Sequence, residues 1–216
     1  LVPVFSWLSI RGKCRYCGKP ISAQYPLVEL AMGVLFVASY IWWPSDLHGY
    51  QIGVFVWWLI LSIGLVALAV YDLRWSILPN RIIYPSAVAA FVMALISVVN
   101  AAHPATASLN AILAVLVGGG IFYVLFQVSG GTWIGGGDVR LGWLLGLAVG
   151  TPGRSIWFIF FGSLLGSVIS IPLLTSGRMK RSSTIPFGPF LIIGVVVTVL
   201  FGADIVHWYR HSLLGL

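Results

Sequence analysis

Five acidic side chains serve the whole 216-residue chain: Glu29, Asp46, Asp72, Asp138 and Asp204. Two of them fall where carboxylates can do chemistry. Asp72 stands in "AVYDLRWSILPN", at the polar end of an apolar run. A carboxylate at a helix C-terminus opposes the macrodipole, so it gains little there unless it pairs with Arg74 or Arg81. Asp138 stands in "GTWIGGGDVRLGW", directly after Gly135, Gly136 and Gly137. Taken alone it reads equally well as a helix N-cap or as a functional group. A cap needs no three glycines before it, and each costs conformational entropy. Gly135, Gly136 and Gly137 would leave room for a peptide backbone beside Asp138, which makes them candidate substrate-binding positions. Two carboxylates that share a site resist joint ionisation. One then acts as acid, while the other, as base, activates water against a peptide carbonyl. The chemistry expected of Asp72 and Asp138 as a catalytic pair is that of an aspartic protease.

The elements that must bring these two together are membrane spans. The chain is 59% hydrophobic and only 8% charged, against about a quarter charged in soluble domains. Apolar runs fall at about 27–43, 53–70, 82–99, 109–128, 139–150, 155–174 and 186–201. The expected fold is all-α and integral to the membrane, a polytopic helical bundle of about seven spans. The run at 139–150 is short for a bilayer core, which needs roughly 20 helical residues. It reads as a half-helix or as one extended into the following turn. Residues 1–25 are expected to be a small cysteine-containing cytoplasmic segment, and 26–216 the membrane domain.

Alternating the sides puts Arg11, Lys13, Arg15, Lys19, Arg74, Arg81, Arg140, Arg178, Lys180 and Arg181 on one face, and only Arg154 and Arg210 on the other. The positive-inside rule makes the first face, with the N-terminus, cytoplasmic. Between Asp72 and Asp138 the chain goes out and returns once, so both acids come back to that cytoplasmic edge. The net charge of +7 reads as loops facing anionic lipid, and no stretch suggests nucleic-acid binding. Asp46 and Asp204 map to the opposite side and read as solvated charges.

The rest of the polar inventory is smaller. Cys14 and Cys17 form a C-x-x-C pair, half of a tetrahedral zinc site that needs four ligands. It reads equally as half of a structural zinc site or as a pair without metal. Arg140 could act on Asp138 or extend to lipid headgroups, and the second reading is preferred. Glycines 118–120 suggest close helix packing. His207 and His211 lack the glutamate of a zinc-protease helix and read as interfacial anchors. No strand followed by a glycine-rich loop announces a dinucleotide-type fold. A transporter or proton pathway using Asp72 and Asp138 is the alternative function; it predicts inverted repeats, which the sequence does not display. A scaffold subunit without chemistry is a third.

Together, "GGGD", "YDLRWSILPN", "CRYCGKPISAQYPLVELAMG" and "STIPFGPFLIIG" resemble the bacterial type IV prepilin peptidases, within the G-x-G-D intramembrane aspartyl proteases. The resemblance runs from about residue 1 to about 201. It implies that Asp72 and Asp138 are the catalytic aspartates. It implies cleavage of the basic leader of prepilins or pseudopilins, on the cytoplasmic side of the bacterial inner membrane, after Gly and usually before Phe. Many such enzymes then N-methylate the new N-terminus with S-adenosylmethionine. The family commonly carries Lys where this chain has Arg140. It typically has a further N-terminal helix and an earlier C-x-x-C, both of which would precede Leu1.

Overall fold

The computed structural model describes residues 3–176 and 185–213. The basic cluster of Arg178, Lys180 and Arg181 lies outside the described residues, as do the side chains of His207, Arg210 and His211. Two compact units divide the chain, Leu1–Trp43 and Pro44–Leu216. The first holds α1 (Pro3–Ser9) and α2 (Gln24–Ile41). The second holds α3 (Tyr50–Trp75), α4 (Asn80–Val99), α5 (Pro104–Ser129), α6 (Gly136–Val149), α7 (Pro152–Thr175) and α8 (Gly188–Leu213). The only β-pairing among the described residues is an isolated bridge between Lys13 and Pro20.

Among the described residues, six helices are long and apolar enough to cross a membrane: α2, α3, α4, α5, α7 and the Gly188–Ile205 part of α8. The chain is a polytopic helical membrane protein, as its composition requires. The seventh expected segment is α6, and it is short. Its 14 residues rise about 21 Å, less than the roughly 30 Å of a hydrocarbon core. It ends at Gly150, whose φ of 70° puts it in the left-handed region, and does not run on into the next turn. Thr151 and Pro152 then start α7, with the Thr151 side chain accepting from the Arg154 N–H.

A helix too short to span is tolerated where protein surrounds it, and most of α6 is enclosed, Trp143 being its one exposed large apolar side chain. Leu141, Leu144, Leu145, Val139, Ala148 and Val149 are all buried. Glycine sets the closeness of the fit. A Cβ on Gly118 of α5 would stand 2.8 Å from the Gly142 carbonyl oxygen, and one on Gly142 would stand 2.6 Å from that of Gly118. Gly119 leaves room for the Trp143 indole, and Gly146 rests on Ala114. The expected role of glycines 118–120 therefore holds for the first two, while Gly120 faces open space. At the far end the buried Ser155 hydroxyl of α7 donates to the Ala114 carbonyl of α5 at 2.8 Å. So α5 and α6 run antiparallel, and α6 carries the chain from the end where α5 stops to the end where α7 begins.

In the first unit, Trp7 of α1 anchors the cysteine hairpin. Its indole N–H donates to the Ile21 carbonyl at 3.1 Å. The ring lies 2.9 Å from where a Cβ on Gly12 would stand. The helix α1 is a feature the sequence reading leaves as plain segment, and α2 begins two residues before Pro26.

The α5–α6 contact carries a direct expectation. Gly118→Val should lower stability by about 1–3 kcal/mol through overpacking, read as a lower unfolding midpoint in detergent. Gly120→Ala, facing open space, should leave the midpoint unchanged or raised.

Candidate active site

One end of the second unit gathers both carboxylates. Asp72 lies in the last turn of α3, which closes at Ser76 in the left-handed conformation (φ 51°). Ile77, Leu78 and Pro79 then turn the chain into α4. Pro79 adopts an extended conformation (ψ 130°) as the α4 N-cap, so the loop is short and stiff. Asp72 is buried, 5% exposed. A buried carboxylate must find donors, and Asp72 finds one across a large sequence distance. The Gly188 backbone N–H donates to its Oδ2 at 3.0 Å. This N–H opens α8, where free backbone donors and the positive end of the helix favour an anion.

Gly188 also has a steric reason to be glycine. A Cβ there would lie 2.7 Å from Asp72 Oδ2 and 3.4 Å from Leu141 Cδ2. Phe187, beside it, packs edge-on against Phe122 of α5 at 6.0 Å between ring centroids. The approach of α8 to α3 is thereby pinned from two sides.

Asp138 lies in the first turn of α6, three residues past the N-cap Gly135. The capping reading is therefore not realised: the N-cap is glycine, with no side-chain cap bond. The Asp138 carboxylate turns back over Gly135, with Oδ2 3.4 Å from where a Cβ there would stand. It is half-buried and lies within electrostatic reach of Asp72. Leu141, one turn further along α6, is fully buried and reaches the Gly188 position. One face of α6 thus looks towards Asp72 and the start of α8.

The three glycines have different surroundings. Gly135 is exposed. Gly136 is near Phe126 and the Arg140 guanidinium, and a Cβ on Gly137 would stand 3.2 Å from Leu78 Cβ. The outward-reaching reading of Arg140 needs correction. Its Nε donates to the Gly136 carbonyl at 3.0 Å, and its Nη1 donates to Asn80 Oδ1. Both acceptors lie close by, so the guanidinium is held at the protein rather than in headgroups. Sequence reasoning also missed Gly188, Leu78 and Asn80. The signals were present: a glycine wedged in "PFGP", and "LPN" directly after the first aspartate.

Of the remaining acids, Asp46 and Asp204 are exposed, Asp204 within α8 rather than in a tail. Neither belongs to the site. Cys14 and Cys17 lie in the first unit, in a tight hairpin. The Cys14 N–H donates to the Lys19 carbonyl at 2.8 Å, and the Gly18 N–H to the Cys14 carbonyl at 2.9 Å. Gly18 takes a positive φ of 67° at the turn. Backbone N–H groups of Cys17 and Tyr16, with the Cys17 side chain, hold the Cys14 thiol below its ordinary pKa. That arrangement suits a metal-binding thiolate. Among the described residues, however, no cluster of three or more metal-binding side chains forms. The pair fits zinc as half a site, and the expected metal is not supported beyond that.

Known proteins align with this architecture along nearly the whole chain. A profile of the type IV leader peptidase family matches residues 59–171, which include both aspartates. The chain belongs to that family. A profile of the bacterial peptidase A24 N-terminal domain matches residues 1–43. Relatives named prepilin leader peptidase/N-methyltransferase accompany these matches. That of Xanthomonas campestris pv. campestris is 38% identical over 96% of this chain and 69% of its own. That of Bacillus subtilis is 28% identical over 100% of this chain and 81% of its own. That of Aeromonas hydrophila is 31% identical over 99% and 70%. No solved structure matches. The chain is thus a multi-pass membrane member of a peptidase family.

Two measurements check this geometry. Gly188→Ala should cost about 1–3 kcal/mol by displacing the buried bond to Asp72, again read as an unfolding midpoint. Alkylation of Cys14 should have its pH midpoint below that of free cysteine, because a lowered pKa puts the thiolate at lower pH.

Proposed function

We propose that the chain is an intramembrane aspartyl endopeptidase, with Asp72 and Asp138 as its catalytic pair. The observation that carries this reading is the packing of the α6 start against the α3 end and the α3–α4 turn, which puts Asp72 and Asp138 on adjoining segments in a chain with five acids in all. In the proposed cycle the anionic carboxylate takes a proton from water as the water attacks the scissile carbonyl carbon. The protonated partner gives its proton to the carbonyl oxygen. Collapse of the gem-diol breaks the C–N bond: the proton taken from water passes to the leaving amine, and one hydroxyl gives its proton back to the partner carboxylate as the new acid forms. Asp72 is the better anion, since it accepts from the Gly188 N–H at the start of α8. Asp138, half-buried beside the exposed Gly135, is the partner that meets the peptide. Gly135, Gly136 and Gly137 are the proposed approach for the substrate backbone, with Gly135 the most open of the three.

The names of the relatives point to the leader of a prepilin as the substrate; cleavage at a Gly–Phe-type bond behind a basic leader, and action on pseudopilins, are proposed from the resemblance of the sequence motifs. The substrate's apolar segment would lie in the bilayer beside the bundle. The site would face the cytoplasm from the bacterial inner membrane. The same names include N-methylation, for which S-adenosylmethionine would be the methyl donor. No strand and glycine-rich loop among the described residues forms a known type of pocket for it, so no residue is assigned to it. Cys14 and Cys17 are the residues that would supply two of a structural zinc's four ligands. A proton or ion pathway through the same two acids is the competing function.

Reconstituted protein and a prepilin-type peptide distinguish them. Asp72→Asn and Asp138→Asn should each slow cleavage by roughly 10²–10⁴-fold while leaving the unfolding midpoint near the parent's. The wild-type rate should fall on both sides of a pH optimum, since one carboxyl must be protonated and the other ionised. A folded single variant that cuts at the parental rate would sink the dyad.

A further inference from the structure

The segments bearing the two aspartates are joined by a side-chain hydrogen bond. Asn80 opens α4, eight residues after Asp72 and just beyond the α3–α4 turn. Arg140 lies in the second turn of α6, two residues after Asp138. The Arg140 Nη1 donates to Asn80 Oδ1, while Nε donates back to the Gly136 carbonyl of its own helix at 3.0 Å. Between these bonds and the carboxylates, Leu78 is buried against Gly137, 3.2 Å from where a Cβ would stand.

The two bonds work as a unit because a guanidinium is planar and rigid. With Nε committed to Gly136, the direction of Nη1 is set by the first turn of α6, the turn that also carries Asp138. Asn80 is held likewise, following the extended Pro79. The bond therefore fixes the α6 start against the α3–α4 turn. A lysine ammonium, with one rotating nitrogen on a flexible stem, does not fix both directions at once. Two of the guanidinium's five N–H groups thus have acceptors on two different segments of the protein.

We propose that Asn80 and Arg140 form a clamp that sets the separation of the Asp72 and Asp138 carboxylates, making both of them positioning residues for peptide-bond cleavage. The inference rests on the catalytic reading of the two aspartates. Neither clamp residue touches the reacting atoms; each acts through the aspartate on its own segment.

The test is steady-state kinetics of the full chain in lipid vesicles with a prepilin-type peptide. Asn80→Ala, Arg140→Met, the double variant, Arg140→Lys and Asp72→Asn are compared with the parent. A misplacement near 1 Å lowers catalysis by roughly 10²-fold, so each single clamp variant should lose about that much in kcat. KM should stay within about twofold, as expected when only transition-state geometry is lost. The double variant should be no slower than the worse single, because both remove one shared bond. Arg140→Lys should be intermediate. Parental kcat in the single variants, a rise in KM with kcat kept, or losses that multiply in the double variant would each overturn the clamp. Should Arg140→Met fail to fold, Arg140→Lys decides alone: reduced kcat at unchanged KM supports the clamp, and parental kcat overturns it. Asp72→Asn separates the two readings. If it cuts at the parental rate, the catalytic assignment fails; if it is inactive while the clamp variants behave as parent, only the clamp fails.

Discussion

A carboxylate buried near the end of an apolar bundle needs a donor, and the hydrogen bond from Gly188 to Asp72 is the one around which this end of the protein is arranged. The donor comes from α8, more than a hundred residues along the chain, so the bond has consequences for packing. It requires α8 to begin level with the last turn of α3. It leaves no space for a side chain at residue 188. It also needs Phe187 to turn aside, which it does by packing on Phe122 of α5. Helix starts offer free N–H groups in any protein. Away from water, such a start is among the few neutral groups able to hold an anion without importing a second charge.

Around this bond the bundle follows one economy of contact. Membrane helices gain little from hiding apolar side chains from one another, because lipid is equally apolar. They associate where backbones can come close. Gly118 and Gly142 do this between α5 and α6, and Gly162 and Gly194 do it between α7 and α8, where a Cβ on Gly162 would stand 3.0 Å from Leu191 Cα. Polar links are few. The hydroxyls of Ser62, Ser86 and Thr198 donate to the carbonyl four residues back in their own helices. Ser155 instead spends its hydroxyl on another helix, at Ala114.

The apolar runs and the two aspartates were legible from residue type and spacing, because bilayer thickness and the cost of charge at depth leave strong marks on a sequence. Helix ends were less so. The run expected at 53–70 continues to Trp75, taking Asp72 inside the helix, because the polar residues there still favour helix once the apolar stretch has ended. Asp138 likewise fell inside α6, since Gly136 and Gly137 form its first turn rather than a loose hinge. What could not be read was any partnership across the chain. Gly188 with Asp72, and Arg140 with Asn80, join segments whose proximity only packing determines. The expected outward reach of Arg140 failed for that reason: a long cation near a membrane edge goes to lipid only if no nearer acceptor is offered.

The shortness of α6 is taken up unevenly at its two ends. A helix of about 21 Å cannot match its 26-residue neighbour α5 at both. At the α6 start, Gly136 lies near Phe126, within a turn of the α5 end at Ser129. At the other end Gly146 already rests on Ala114, well short of the α5 start at Pro104. The missing length therefore falls on the side away from Asp138, and the carboxylate stays level with the last turn of α5.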